Sequence, residues 1–123
     1  MSRILVVEDE DSVRHALVKI LENYGHKAVA AADAPECLNI FDEQGEFDLV
    51  MTDLGLPGPS GWDIARAIKE RSPGMPVVLL SGWDVTADEM EKKGNVERVL
   101  AKPVNIFKML ETIKELAGNK TGG

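Results

Sequence analysis

Short apolar runs recur along this chain, separated by longer stretches in which apolar residues return every third or fourth position. Residues 4 to 7 (ILVV), 49 to 51 (LVM) and 77 to 80 (VVLL) are apolar without alternation, 96 to 101 (VERVLA) is mixed, and 28 to 32 (AVAAA) is weaker. Unbroken runs of this length suit strands covered on both faces, the condition of a parallel sheet. Between them, Val13, Ala16, Leu17, Ile20, Leu21 and Tyr24 follow helical spacing, as do Ala34, Cys37, Leu38 and Phe41, and then Gly61, Ile64, Ala65 and Ile68. Residues 85 to 93 (VTADEMEKK) predict a shorter fourth helix, and Phe107, Leu110, Ile113 and Ala117 a fifth. Gly25, Gly45, Gly74 and Gly94 fall just past helical stretches, where a left-handed residue is expected. The pattern is a strand followed by a helix, five times over. It predicts an α/β fold, a doubly wound five-stranded parallel sheet.

Composition narrows the function classes. A length of 123 residues, 44% hydrophobic, fits one domain with a continuous core. We expect that domain to span 1–118, with the polar end of GNKTGG, residues 119–123, as a flexible tail or the start of a linker. With 21 acidic against 14 basic residues the formal charge is -7, which argues against direct nucleic-acid binding. The single Cys37 predicts no internal disulfide, and no apolar run approaches a membrane span, so the expectation is a cytoplasmic chain with no membrane contact.

In a doubly wound sheet the ligand crevice lies outside the carboxyl ends of the strands. Those ends carry Glu8 and Asp9 after the first run, Asp53 after the third, Ser81 and Gly82 after the fourth, and Lys102 after the fifth. Carboxylates brought close together repel unless they share protons or bind a cation. Mg2+ is the natural partner: it takes one or two carboxylates and fills its remaining positions with waters or phosphate oxygens. Glu8 and Asp9 would form its platform, with Asp53 both ligand and nucleophile toward phosphorus. Lys102 would offset charge, and the Ser81 hydroxyl would donate to a phosphoryl oxygen.

The segments ILVVEDE at 4 to 10, MTDLGLPGPSGWD at 51 to 63, VVLLSGWD at 77 to 84 and LAKP at 100 to 103 together resemble a response-regulator receiver domain, the phosphoacceptor module of two-component signalling. Among receivers the chain is similar to the single-domain chemotaxis regulator. The resemblance implies a flavodoxin-like fold with strand order 2-1-3-4-5 and five helices. It implies that Asp53 accepts a phosphoryl group from a sensor histidine kinase or phosphotransfer protein. It further implies Mg2+ ligation by Asp9, Asp53 and the Gly55 carbonyl, with Glu8 acting mainly through metal-bound water, Ser81 as the switch hydroxyl, Lys102 as the site lysine, and a cis Lys102-Pro103 bond. Such a chain is a signalling switch that catalyses only its own modification, either standing alone or as part of a longer protein such as a hybrid kinase.

Four positions depart from the commonest receiver pattern. Ser81 replaces a more frequent threonine, keeping the hydroxyl. Val99 stands where many members carry Tyr or Phe, so a movement of the 82 to 95 segment, Trp83 included, is expected in place of a swinging ring. Trp83 and Gly55 flank the acceptor at positions that influence phosphate lifetime in the family.

Each residue also has a simpler reading. Glu8 and Asp9 could merely open the first helix, with Asp11 or Ser12 as its N-cap. Asp53 could be a turn acid, Lys102 a surface lysine, and Ser81 a strand-end hydroxyl bonded to backbone. Their convergence at four strand ends favours a site. A dehalogenase-like phosphatase would want a second acid where Gly55 stands, and EDEDS at 8 to 12 lacks the glycines of a dinucleotide fingerprint. An unphosphorylated receiver-like interaction module is the remaining alternative. Cys37 is expected to pack in the core, His15 and His26 to face solvent, and EMEKK at 89 to 93 to form a solvated helix face.

Overall fold

The computed structural model describes residues 2–118. Five strands alternate with five helices: β1 (Arg3–Val7), α1 (Asp11–Asn23), β2 (Lys27–Ala31), α2 (Ala34–Gln44), β3 (Leu49–Asp53), α3 (Gly61–Arg71), β4 (Val77–Ser81), α4 (Ala87–Lys93), β5 (Arg98–Ala101) and α5 (Ile106–Leu116). The strands form one parallel sheet in the order β2-β1-β3-β4-β5, as the resemblance implied.

The unbroken apolar runs have a direct cause. Within β1, Leu5 and Val7 face one core, with Val50, Val77, Cys37, Ile64 and Ile68, while Ile4 and Val6 face the other, with Leu17, Leu21, Met109 and Ile113. Thus α2 and α3 cover one side of the sheet, and α1 and α5 the other. Leu79, Leu54 and Trp62 form a third cluster against which Met90 of α4 and Val99 of β5 pack. Truncating a fully buried member such as Ile68 or Leu79 to alanine would cost about 2–5 kcal/mol. The weaker patterns at 28 to 32 and 96 to 101 belong to β2 and β5, the sheet's edges, where one neighbour and partial cover relax the demand for large apolar groups.

Local signals set the helix starts. Asp33 caps α2, Asn105 caps α5, and Ser60 and Thr86 form reciprocal capping boxes with Asp63 and Glu89 at α3 and α4. The cap of α1 is Glu10, with no side-chain capping bond, rather than Asp11 or Ser12: the helix starts one or two residues earlier than expected and takes Asp11 into its first turn, where an acid favours the positive end of the helix. Gly25, Gly45 and Gly94 take positive φ as expected, but Gly74 does not. α3 ends at Arg71, and Gly74 lies beyond Pro73 in the loop entering β4.

Several facing expectations need correction. Phe107 is 77% exposed, and the buried stripe of α5 is Met109, Thr112 and Ile113. Two residues rotate a helix by about 200°, so Met109 facing the sheet turns Phe107 to solvent. Ala16 and Tyr24 are exposed, Tyr24 because it lies past the last turn of α1. His15 faces solvent, but His26 is half-buried: its Nδ1 accepts from the Ser2 N–H at 3.1 Å, and burial lowers its pKa. In EMEKK, Met90 packs inward. Cys37 is a packed core thiol, pushed up to about 12 chiefly by burial. The expected tail, 119–123, lies outside the described residues. Among the described residues no helix is long and apolar enough to cross a membrane.

Candidate functional site

The parallel sheet brings the strand ends to one edge, and there the acids meet. Asp53 is itself the last residue of β3, paired in register with Leu80, and Ser81 is the last of β4. The Leu54 N–H donates to the Leu80 carbonyl at 2.9 Å and the Lys102 N–H to the Ser81 carbonyl at 2.8 Å, so three strand ends are stitched by main chain. Glu8 leaves β1 with its N–H bonded to the Ala31 carbonyl at 3.1 Å.

Burial and charge oppose each other at this edge. Glu8 is only 2% exposed and Asp53 only 7%, whereas Asp9 is open to solvent. One ligand oxygen from each of the three carboxylates lies within 4.8 Å of the others. Lys102 Nζ stands 3.1 Å from Glu8 Oε1 and 3.0 Å from Asp53 Oδ1. Burial pulls the Lys102 ammonium down, but its hydrogen bonds to Asp53 and Glu8, with their charges, outweigh that and hold its pKa above the usual lysine value. One ammonium among three carboxylates leaves a net negative pocket of hard oxygen donors, a donor set suited to a divalent cation such as Mg2+.

Ser81 is where it was expected, with its hydroxyl turned to the chain: Oγ donates to the Trp83 carbonyl at 2.6 Å and accepts from the Trp83 N–H at 3.2 Å. The simpler reading of this side chain therefore describes the unmodified molecule. Gly55 is exposed, two residues beyond Asp53, and a Cβ there would stand 3.6 Å from the tip of the Trp83 ring. Lys102-Pro103 is cis.

Sequence reasoning missed Arg14. From the first turn of α1 its guanidinium reaches back to donate to the Glu8 carbonyl at 2.9 Å and also pairs with Asp11, clasping the loop that carries Glu8 and Asp9. The spacing of Asp11 and Arg14 gives the helical i,i+3 pair. Nothing in the spacing gives the reach to a backbone carbonyl. Gly61, read only as part of an apolar stripe, starts α3 directly against the Asp53 carbonyl, 2.6 Å from where a Cβ would lie.

Comparison with known proteins gives the family and the fold. A family profile described as response regulator receiver domain matches residues 4–114. Over 121 residues the chain is 35% identical to the sensory/regulatory protein RpfC of Xanthomonas campestris, an alignment covering 94% of this chain and 16% of RpfC. The chain therefore spans about a sixth of that relative's length. A response regulator receiver domain protein from Clostridium thermocellum superimposes with a TM-score of 0.88 at 31% identity, covering 98% of both chains. TrrA of Thermotoga maritima, solved in complex with Mg2+-BeF, gives a TM-score of 0.85 at 29% identity, covering 94% of this chain and 99% of that one.

Proposed function

The chain belongs to the response-regulator receiver family of two-component signalling, and we propose that Asp53 is its phosphoacceptor, with Glu8, Asp9, Ser81 and Lys102 as the supporting groups and residues 1–118 as the receiver unit. The observation that carries this reading is the convergence of three carboxylates, of which the two buried ones, Glu8 and Asp53, share the Lys102 ammonium at 3.1 and 3.0 Å. Burying carboxylates is costly without a use or a cation.

In this reading a carboxylate oxygen of Asp53 attacks phosphorus in the phosphohistidine of a sensor kinase or phosphotransfer protein. A P–O bond forms, the P–N bond breaks, and its electron pair leaves with the imidazole. Lys102 is positioned to follow the charge as it moves from the Asp53 carboxylate to the phosphoryl oxygens, since its Nζ already bonds to Asp53 Oδ1. The Ser81 hydroxyl offers one proton to the same oxygens. Asp9 and Asp53 would hold Mg2+ directly, with the Gly55 carbonyl and, through water, Glu8; the ion supplies charge neutralisation as phosphoryl oxygens approach the acids. Arg14 holds the Glu8–Asp9 loop in the shape that aims both acids at Asp53. The chain acts as a cytoplasmic signalling switch that modifies only itself. An unphosphorylated interaction module is disfavoured, because every group the chemistry needs is present at the strand ends.

Incubation with acetyl phosphate and Mg2+ tests the reading. One phosphoryl group should be added, EDTA should prevent it, and Asp53→Asn should abolish it. Undiminished labelling of the Asn variant would remove Asp53 from the role.

A further inference from the structure

Thr52 stands next to the acceptor with a hydroxyl that the phosphoryl chemistry does not use. The side chain is fully buried, and the register sets the residue between Val7 of β1 and Leu79 of β4, both apolar and fully buried. Valine would fill the same shape there, so packing does not call for a hydroxyl. Burying one costs stability unless it is bonded. Its bond goes to the acceptor residue itself: Thr52 Oγ1 donates to the Asp53 carbonyl at 3.0 Å.

The sheet explains why Asp53 needs such a bond. β3 pairs with β4 as far as Asp53, which lies opposite Leu80, but its pairing with β1 stops at Thr52, opposite Val7. Asp53 therefore has a strand on one side only. The Thr52 hydroxyl closes a local ring that contains ψ of Thr52 and φ and ψ of Asp53, the soft torsions that link the two residues. Rotation about φ of Asp53 swings its side chain relative to the strand, and with it the carboxylate that Lys102 Nζ meets at 3.0 Å. The first residue of α3 confines the same carbonyl, since a Cβ on Gly61 would stand 2.6 Å from the Asp53 oxygen. A donor holds that oxygen and a helix start walls it in.

We propose that Thr52 is a positioning residue for phosphoryl acceptance, its hydroxyl replacing at the strand end the support that β1 gives earlier in β3 and so fixing the direction in which the Asp53 carboxylate leaves the chain. The proposal rests on the acceptor role of Asp53. Thr52 touches no reacting atom. Its effect is on the fraction of time the carboxylate spends aligned for attack on phosphorus, a quantity to which the rate of transfer is sensitive.

The test compares variants of Thr52 in the full chain by three readouts: the rate of labelling with acetyl phosphate and Mg2+, urea unfolding, and the carbon-13 resonance of the Asp53 carbonyl in the free chain. Thr52→Val keeps the shape and removes the donor, whereas Thr52→Ser keeps the donor and removes a buried methyl. The Val variant should resist urea about as well as the parent, label about fivefold more slowly, the factor one neutral hydrogen bond supplies, and show the carbonyl resonance moved upfield. The Ser variant should unfold earlier, because it leaves a small cavity, yet label within about twofold of the parent with the resonance near its original place. Thr52→Ala set against Thr52→Ser repeats the comparison with only the hydroxyl differing, so the result does not depend on how well the Val variant folds. Labelling rates that follow urea resistance rather than the hydroxyl, or a carbonyl resonance that moves with no change in rate, overturn the positioning role and leave Asp53 as acceptor. A parent chain that takes up no phosphoryl group overturns both readings.

Discussion

Substituting Gly61 by alanine should damage both the fold and the acceptor. A Cβ at this position would stand 2.6 Å from the Asp53 carbonyl oxygen, 2.8 Å from Leu79 Cδ2 and 2.9 Å from Leu54 Cα. Two of those neighbours are main chain and the third is a fully buried side chain, so none can yield without moving the end of β3. Alanine regains up to about 1 kcal/mol of helix propensity over glycine, and less at a first helical position. Overpacking of this kind costs about 1–3 kcal/mol, and backbone contacts place the cost at the upper end. The net expected loss is therefore about 1–3 kcal/mol, which for a chain of this size lowers Tm by about 3–6 °C per kcal/mol. Gly74→Ala is the matched control, because a Cβ there meets nothing within 4 Å and its φ is not positive. It should be neutral or slightly stabilising. Urea unfolding followed by circular dichroism, with acetyl phosphate labelling of the same samples under native conditions, reads both effects: Gly61→Ala should unfold earlier and label more slowly while still folded. A Gly61→Ala chain as stable as the parent and labelled at the same rate would refute the contact argument.

Three further outcomes follow from the same geometry. Lys102→Met strips Glu8 and Asp53 of their shared cation, and, since Lys102 is 31% exposed, should cost about 1–3 kcal/mol in EDTA, below the range for a fully buried pair. Mg2+ should restore more stability to the variant than to the parent, and equal Mg2+ stabilisation by thermal melt would contradict this. Because the folded pKa of Lys102 is raised, its contribution is complete below the unfolded value of about 10.4 and fades as pH rises through the folded value, so parent and variant melts should converge at strongly alkaline pH. Arg14→Met should weaken Mg2+ binding several-fold by calorimetry while changing stability by less than about 1 kcal/mol, and unchanged affinity would show that the clasp on the Glu8 carbonyl does not shape the acids. Cys37, buried and pushed up to about 12, should resist thiol reagents until urea unfolds the chain, and fast native labelling would contradict its packing.

The legible parts of this molecule are those whose physics is local or periodic. The runs at 4 to 7, 49 to 51 and 77 to 80 announce strands covered on both faces because no polar side is left to offer water. The acids and the lysine are legible because each stands where a strand pattern stops, and a parallel sheet gathers such ends at one edge. What depends on long side chains or exact rotation is not in the pattern. Phe107 fits the helical spacing of α5 as well as Met109 does, and only docking onto the sheet decides which faces in. Arg14 could be seen pairing with Asp11, but not reaching the Glu8 carbonyl. The orientation of the Ser81 hydroxyl toward Trp83 is a matter of one torsion, invisible to residue type. Gly61 reads as one more small residue on a helix until α3 is seen starting against the Asp53 carbonyl.

The central claim is that phosphate is carried by the carboxylate at the end of β3. An acyl phosphate can be reduced by borohydride to the alcohol, so a phosphorylated aspartate becomes homoserine while free carboxylates are untouched. The chain, labelled with acetyl phosphate and Mg2+, reduced, digested and sequenced by tandem mass spectrometry, should show homoserine at position 53 and unaltered acids at Glu8 and Asp9. Homoserine at Asp9 with Asp53 unchanged, or labelled protein with no reduced residue at 53, would contradict the account.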